Sequence, residues 1–119
     1  MFGFRRPAPS PALTVPEVAQ RVAAGEMLLI DVRDHCEVAQ SGTAKGALHI
    51  PLMRLPTVAD PRHPDFDTRL AGDKPVALYC ASGARSGMAA NVLQKLGYGE
   101  TYNLGGLSHW VAGGGAVTR

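Results

Sequence analysis

Two patterns of apolar and polar positions alternate along the chain. In Leu13–Gly25, LTVPEVAQRVAAG, the apolar spacing is helical, with Val18 and Val22 on the inward face. Thr14 followed three residues later by Glu17 predicts a capping box, and Leu13 with Val18 predicts a hydrophobic staple. Gly25 fits a helix stop. Met27–Val32 is a continuous apolar run, as expected of a strand covered on both faces. It leads through Asp31-Val32-Arg33 into a short helix, with Asp34 as cap and Glu37 at the matching position. Ala47–Pro51 predicts a short strand. The stretch Met53–Asp73 is rich in proline and charge, with one helical turn near Phe66–Leu70. Lys74–Cys80, KPVALYC, is the clearest strand. Ser86–Gly99 predicts a helix with Met88, Val92 and Leu96 on one face and Gly97 as its stop. Thr101–Leu104 predicts a last strand, after which Gly105-Gly106 turns the chain into a short helix containing Trp110.

Strands that alternate with helices imply an α/β domain with a parallel sheet and helices on both faces. No repeat and no second domain is visible. The division expected is an extended, proline-rich leader over 1–12 and one folded domain over 13–119. The leader has no apolar core of a signal peptide. Phe2 and Phe4 beside Arg5 and Arg6 could serve as a docking tag, although a disordered end is the plainer expectation.

With 119 residues, 45% of them hydrophobic and 18% charged, the chain suits one ordinary globular core. A net charge of +2 is too mild to argue for nucleic acid or a membrane surface, and neither is expected as a partner. No apolar stretch approaches a transmembrane span. The two cysteines, Cys36 and Cys80, do not make a disulfide scaffold, and the expected state is two reduced thiols in the cytoplasm. There is no C-x-x-C, no H-x-x-x-H and only four scattered histidines, so no metal is expected.

The chemistry concentrates at Tyr79–Gly87, YCASGARSG. In parallel sheets ligands bind at the carboxyl ends of strands, and Cys80 ends the strongest one. A thiol becomes a nucleophile when it ionises, which amide N–H groups and nearby positive charge favour. A strand-to-helix turn supplies unpaired N–H donors and the positive end of a helix dipole. Ala81, Ser82, Gly83 and Ala84 are small enough for those donors to converge, and Gly83 can take a positive φ. Arg85 adds a planar donor fork and Ser86 a hydroxyl. No acidic residue occurs between Lys74 and Gly99. The neighbourhood therefore suits a thiolate and an anionic substrate. The competing reading is a small buried core cysteine.

In order along the chain, LLIDVRDHCEVAQSG (Leu28–Gly42), KGALHIP (Lys45–Pro51), VALYCASGARSGMAANVLQKLGY (Val76–Tyr98) and TYNLGGLSHWVAGG (Thr101–Gly114) resemble the motifs of the single-domain rhodaneses, a sulfurtransferase family. The resemblance spans about Leu13 to Val117. It implies a rhodanese-like three-layer α/β fold, with a central, mainly parallel sheet of about five short strands and helices on both faces. It makes Cys80 the catalytic nucleophile and persulfide carrier, in two-step covalent catalysis without a cofactor. The amides from Ala81 through Ser86 would cradle the outer sulfur, and Arg85 would bind the donor anion and hold the loop. The implied partners are a small anionic donor such as thiosulfate and an acceptor that is cyanide or a thiol; a protein donor or acceptor is a further option. Structurally similar cell-cycle phosphatases carry one more residue than the four between Cys80 and Arg85, so the loop here fits a single sulfur better than a phosphate.

Three positions depart from the family pattern. Ala81 stands where many active members have a basic residue, Gly42-Thr43-Ala44 where a G-H-I is usual, and Ala116 where a proline is common, which predicts a looser tail. Asp31 is expected to anchor a neighbouring loop and Arg33 to pair with Glu37, as structural support rather than as a catalytic pair. Cys36 is a bystander or a resolving thiol for Cys80. His49 and His109 are read as structural and Trp110 as a core aromatic, while His35 and His63 lie in polar surroundings and suggest nothing specific. Two functions remain open: an enzyme that moves sulfane sulfur on Cys80, and a module that binds a partner or delivers sulfur only within a complex.

Overall fold

The capping box at Thr14 forms. Its N–H and hydroxyl donate to Glu17 Oε1 at 3.0 and 2.9 Å, and the Glu17 N–H donates to Thr14 Oγ1 at 3.2 Å. These bonds start the first helix of a computed structural model that describes residues 13–119. The leader, with Phe2, Phe4, Arg5 and Arg6, lies outside the described residues. The elements follow as α1 (Val15–Ala23), β1 (Leu28–Asp31), α2 (His35–Ser41), β2 (Thr43–Ala44), β3 (Leu48–His49), α3 (Leu55–Val58), β4 (Val76–Cys80), α4 (Ala84–Lys95), β5 (Thr101–Gly106), α5 (Leu107–Ala112) and β6 (Val117–Thr118). Short 3₁₀ turns cover Leu52–Arg54 and Thr68–Leu70.

Four strands make a wholly parallel sheet in the order β3-β1-β4-β5. The expectation of about five strands in this sheet is corrected to four. The remaining two, β2 and β6, form a separate antiparallel pair, Thr43 opposite Thr118 and Ala44 opposite Val117. The pairing also corrects the looser tail: the chain end is tied down by this ladder and by the Trp110 Nε1–H, which donates to the Ala116 carbonyl at 2.8 Å.

The period-two alternation of the strands divides the core. Ile30, Val76, Leu78 and Cys80 face one side, against Leu55, Ala89 and Leu93 of α3 and α4. Leu29, Ala77 and Tyr79 face the other, against Val15, Val18 and Trp110 of α1 and α5. Within α4 the buried face is Ser86, Ala89 and Leu93, whereas Met88 is 53% exposed. Of the predicted stripe, Val92 and Leu96 pack against this core half-buried, and only Met88 turns outward. Close approach of α4 to the sheet selects small residues at its N-terminal half, a preference that side-chain size alone does not reveal.

A buried ionic network ties the carboxyl end of β1 to the segment that follows α2. Arg33 pairs with Asp31, not with Glu37 as the sequence predicted. Its Nε and Nη2 donate to the Asp31 carboxylate at 3.0 and 2.8 Å, its backbone N–H joins them at 3.0 Å, and its remaining donors hold Ser41 Oγ and the Gly42 carbonyl at 2.7 Å each. The Tyr79 and Thr43 hydroxyls donate to Asp31 Oδ2 at 2.7 and 2.8 Å. Burial pushes the Asp31 carboxyl up, but the Arg33, Tyr79 and Thr43 donors outweigh it, so the group stays below its ordinary range. The His49 ring sits 2.7 Å from the Arg33 carbonyl and packs edge-on against His35.

Removing Asp31 would leave Arg33 buried without its charge partner. Asp31→Ala is expected to lower the unfolding free energy by about 3–5 kcal/mol, read from urea titrations. A loss under about 1 kcal/mol would show that the network relaxes and contributes little.

Candidate active site

The turn between β4 and α4 places Cys80, Arg85 and Ser86 at the carboxyl edge of the sheet. Gly83 caps α4 with φ +100°, a left-handed conformation that a side chain resists. That conformation turns its N–H onto Cys80 Sγ at 3.0 Å. The N–H groups of Ser82 and Ser86 also face the sulfur, and the Ser86 hydroxyl lies 3.4 Å from it. Burial pushes the thiol up. The Ser86 hydroxyl and the three amides act against burial and win, bringing Cys80 down to about 7.

Cys80 itself is 0% exposed, while Ala81, Ser82 and Ala84 above it are exposed. The sulfur is therefore the floor of the loop rather than its rim. Yet the peptide groups point at it and not away, which distinguishes it from an inert core thiol.

The hydrogen bonds of the Arg85 guanidinium go to a carboxylate and not to the sulfur. Its Nη1 and Nη2 grip Glu37 of α2, at 2.6 Å to Oε1 and 2.9 Å to Oε2. The Asp34 N–H donates to the same carboxylate at 3.0 Å. Those two donors, Arg85 first, draw the Glu37 carboxyl down to about 2, and Glu37 in return raises Arg85 above its ordinary value. The contacts visible for Arg85 are those that fasten the loop to α2. Glu37, outside the acid-free segment Lys74–Gly99, thus brings a carboxylate to the turn that the local sequence did not suggest.

Two residues escaped the sequence reading. Asn103 of β5 donates from Nδ2 to the Gly83 carbonyl at 2.9 Å. Its Oδ1 accepts from the Ser86 hydroxyl at 2.7 Å and from the Gly105 N–H at 2.9 Å. Gly106 lies under the loop: a Cβ there would meet the Ala81 carbonyl oxygen at 2.1 Å, which backbone cannot yield to. Between Leu78 and Cys80 the β4–β5 register shifts, so that Leu78 opposes Asn103 but Cys80 opposes Gly106. The extra residue in β5 is a bulge beside the site. The signals were there: an asparagine is a poor strand former, and paired glycines at a strand end often mark close backbone approach.

Comparison with known proteins fits this geometry. The model for the Rhodanese-like domain matches residues 14–113. The chain belongs to the rhodanese-like family. It is 36% identical over 99 residues to a sulfurtransferase of Allochromatium vinosum, covering 82% of this chain and 84% of that protein. It is 30% identical over 105 residues to the human thiosulfate:glutathione sulfurtransferase, covering 83% and 90%. Among solved structures, a human single-domain sulfurtransferase superposes with a TM-score of 0.66 at 29% identity, covering 87% of this chain and 96% of that one. A Rhodopseudomonas palustris protein of unknown function, described as a possible tyrosine phosphatase, superposes with a TM-score of 0.78 at 27% identity, covering 90% and 83%.

The other sequence candidates fall away from the sulfur site or beside it. Cys36 is an exposed free thiol on α2, and Cys80 is also free. Among the described residues no three His, Cys, Asp or Glu side chains are placed to share a metal ion, and no helix is long and apolar enough to cross a membrane. A cleft of about 400 Å³, lined by Phe66, Leu70, Lys74, Leu96 and Tyr98, opens where the chain enters β4, at the opposite end of that strand from Cys80.

The rate of Cys80 alkylation by iodoacetamide, measured in a Cys36→Ser background, is expected to rise with pH around an apparent pKa of about 7. A midpoint at or above the roughly 8.5 of a free thiol would show that the amides do not stabilise the thiolate.

Proposed function

We propose that this rhodanese-like chain is a sulfurtransferase that moves sulfane sulfur from a donor such as thiosulfate to cyanide or a thiol through a persulfide on Cys80. The Cys80 thiolate attacks the outer sulfur of the donor. A new S–S bond forms to Sγ while the donor's own S–S bond breaks, and sulfite leaves with the electron pair. The acceptor thiolate or cyanide then attacks the outer sulfur of the persulfide and releases the Cys80 thiolate. Ser82, Gly83 and Ser86 supply N–H donors to the negative sulfur; Ala81 and Ala84 keep the loop small enough for a second sulfur to enter. Arg85 holds the loop through Glu37, and Asp31 with Arg33 supports the strand end behind it. No cofactor is needed for either step.

The observation that carries this reading is the convergence of backbone donors on one buried sulfur, with its thiol drawn down to about 7. A thiol acceptor is favoured by similarity to a protein named for transfer to glutathione. A second reading draws on the full burial of Cys80 and on Ala81 at a position that is often basic. In that reading sulfur moves only within a complex, when a protein donor or acceptor displaces the loop. A cytoplasmic setting agrees with two unlinked thiols.

A thiosulfate–cyanide assay separates these readings. Wild type is expected to turn over and Cys80→Ala to be inactive, with intact-mass spectrometry finding one added sulfur on the wild-type chain after donor alone. Equal inactivity of both, with a persulfide still loaded from polysulfide, would favour the complex-dependent module. Absence of any persulfide from small donors would sink the first reading. Arg85→Ala is expected to cut transfer by about tenfold or more, since it breaks a charge-assisted pair that fixes the loop. Its melting temperature should fall by no more than about 5 °C, because the pair is partly exposed. Cys36→Ser should retain most activity; a large loss would make Cys36 a redox partner.

A further inference from the structure

The Ser86 hydroxyl has one proton and two acceptors. Ser86 is 0% exposed, so water does not resolve the competition. Asn103 Oδ1 lies at 2.7 Å, a strong geometry; Cys80 Sγ lies at 3.4 Å, a reasonable distance for sulfur. The orientation of the Asn103 amide is fixed by chemistry. The Gly83 carbonyl can only accept and the Gly105 N–H can only donate, so nitrogen must face the first and oxygen the second. Asn103 is thus a rigid acceptor held on the strand beside the reacting loop.

We propose that Asn103 is a positioning residue that withholds the Ser86 hydroxyl from Cys80, so that the sulfur receives this donor only when it becomes negative. With Cys80 as a thiol, the S–H donates to Ser86 Oγ and the Ser86 hydroxyl donates to Asn103. When the thiol releases its proton to solvent, Ser86 rotates to donate to the thiolate, and Asn103 Oδ1 keeps the Gly105 N–H. The rotation costs the neutral-state bond to Asn103, and that cost holds the thiol above the value the cradle alone would set. The proposal rests on Cys80 being the reacting sulfur, but its test does not depend on sulfur transfer.

The test is the pH dependence of Cys80 alkylation in full-length Cys36→Ser protein, with four further variants: Asn103→Val, Asn103→Asp, Ser86→Ala, and Asn103→Val combined with Ser86→Ala. Asn103 is exposed on an edge strand, where valine is a good strand former, so folding should survive. Both Asn103 variants lose the donor to Gly83; only valine also loses the acceptor. Asn103→Val is expected to lower the apparent pKa by up to about one unit, and Ser86→Ala to raise it by a similar amount. Asn103→Asp, which keeps an acceptor and adds negative charge, should raise it. The combined variant should match Ser86→Ala alone. A purely structural role for Asn103 loosens the cradle and raises the pKa in the valine variant. That result, no shift, or a valine shift that survives without the Ser86 hydroxyl would each overturn the proposal. If the shifts appear as expected while wild type transfers no sulfur, the switch stands and the sulfurtransferase reading fails.

Discussion

A buried sulfur can carry negative charge only if fixed dipoles replace the water it has lost. Here that replacement comes from peptide groups. The one permanent cation of the loop, Arg85, gives its hydrogen bonds to Glu37, and the donors that draw the Cys80 thiol down are the Ser86 hydroxyl and the N–H groups of Ser86, Gly83 and Ser82. Dipoles of this kind act over short distances, and they help only if they are held. A turn with Gly83 at φ +100° beside small Ala81, Ser82 and Ala84 has little rigidity of its own. The cradle is therefore a property of whatever surrounds the turn.

Three neighbours hold it, each from a different element. Glu37 reaches from α2 and fixes the far end of the turn through Arg85. Asn103 reaches from β5 and fixes the Gly83 carbonyl through its Nδ2. Gly106, brought opposite Cys80 by the bulge, lets the Ala81 carbonyl settle against bare backbone. Behind them, the Asp31–Arg33–Tyr79 network ties the end of β1 to Gly42 and, through Tyr79, to the strand that ends in Cys80. The carboxyl edge of the sheet is thus bound laterally in both directions from β4. Such edges are ligand sites in parallel sheets because the loops diverge there; in this chain the divergence is limited by ion pairs and one amide.

What was legible in the sequence follows from how local each cause is. The capping box at Thr14, the run Val76–Cys80 and the small-residue turn after it are local in sequence, and each formed where the residues indicated. The identity of Arg33's partner is not local: Asp31 and Glu37 are both within reach along the chain, and only burial of the strand end decides for Asp31. In α4, Val92 and Leu96 pack on the core as their spacing indicates, but close packing beside Cys80 favours Ser86 and Ala89 over the larger Met88. Strand β6 and its partner β2 are two residues each, too short to show a period. Asn103 and Gly106 were hidden for another reason: their value lies in what the loop does across the sheet, more than fifteen residues away in sequence.

The burial of Cys80 bears directly on how such a site can react. A thiol exposed on a surface needs little help to be attacked, but it is also open to every oxidant and disulfide. A thiol on the floor of a donor-lined loop is protected until something displaces the groups above it. Those groups are Ala81, Ser82 and Ala84, with short side chains that lose little packing when moved. The stiff anchors, Gly83 against Asn103 and Arg85 against Glu37, sit at the end of the turn where it enters α4. If Cys80 is the reacting sulfur as proposed, the two demands on the loop fall to different residues: the short side chains of Ala81, Ser82 and Ala84 leave room above the sulfur, while Gly83 and Ser86, held where the turn enters α4, keep donors aimed at it.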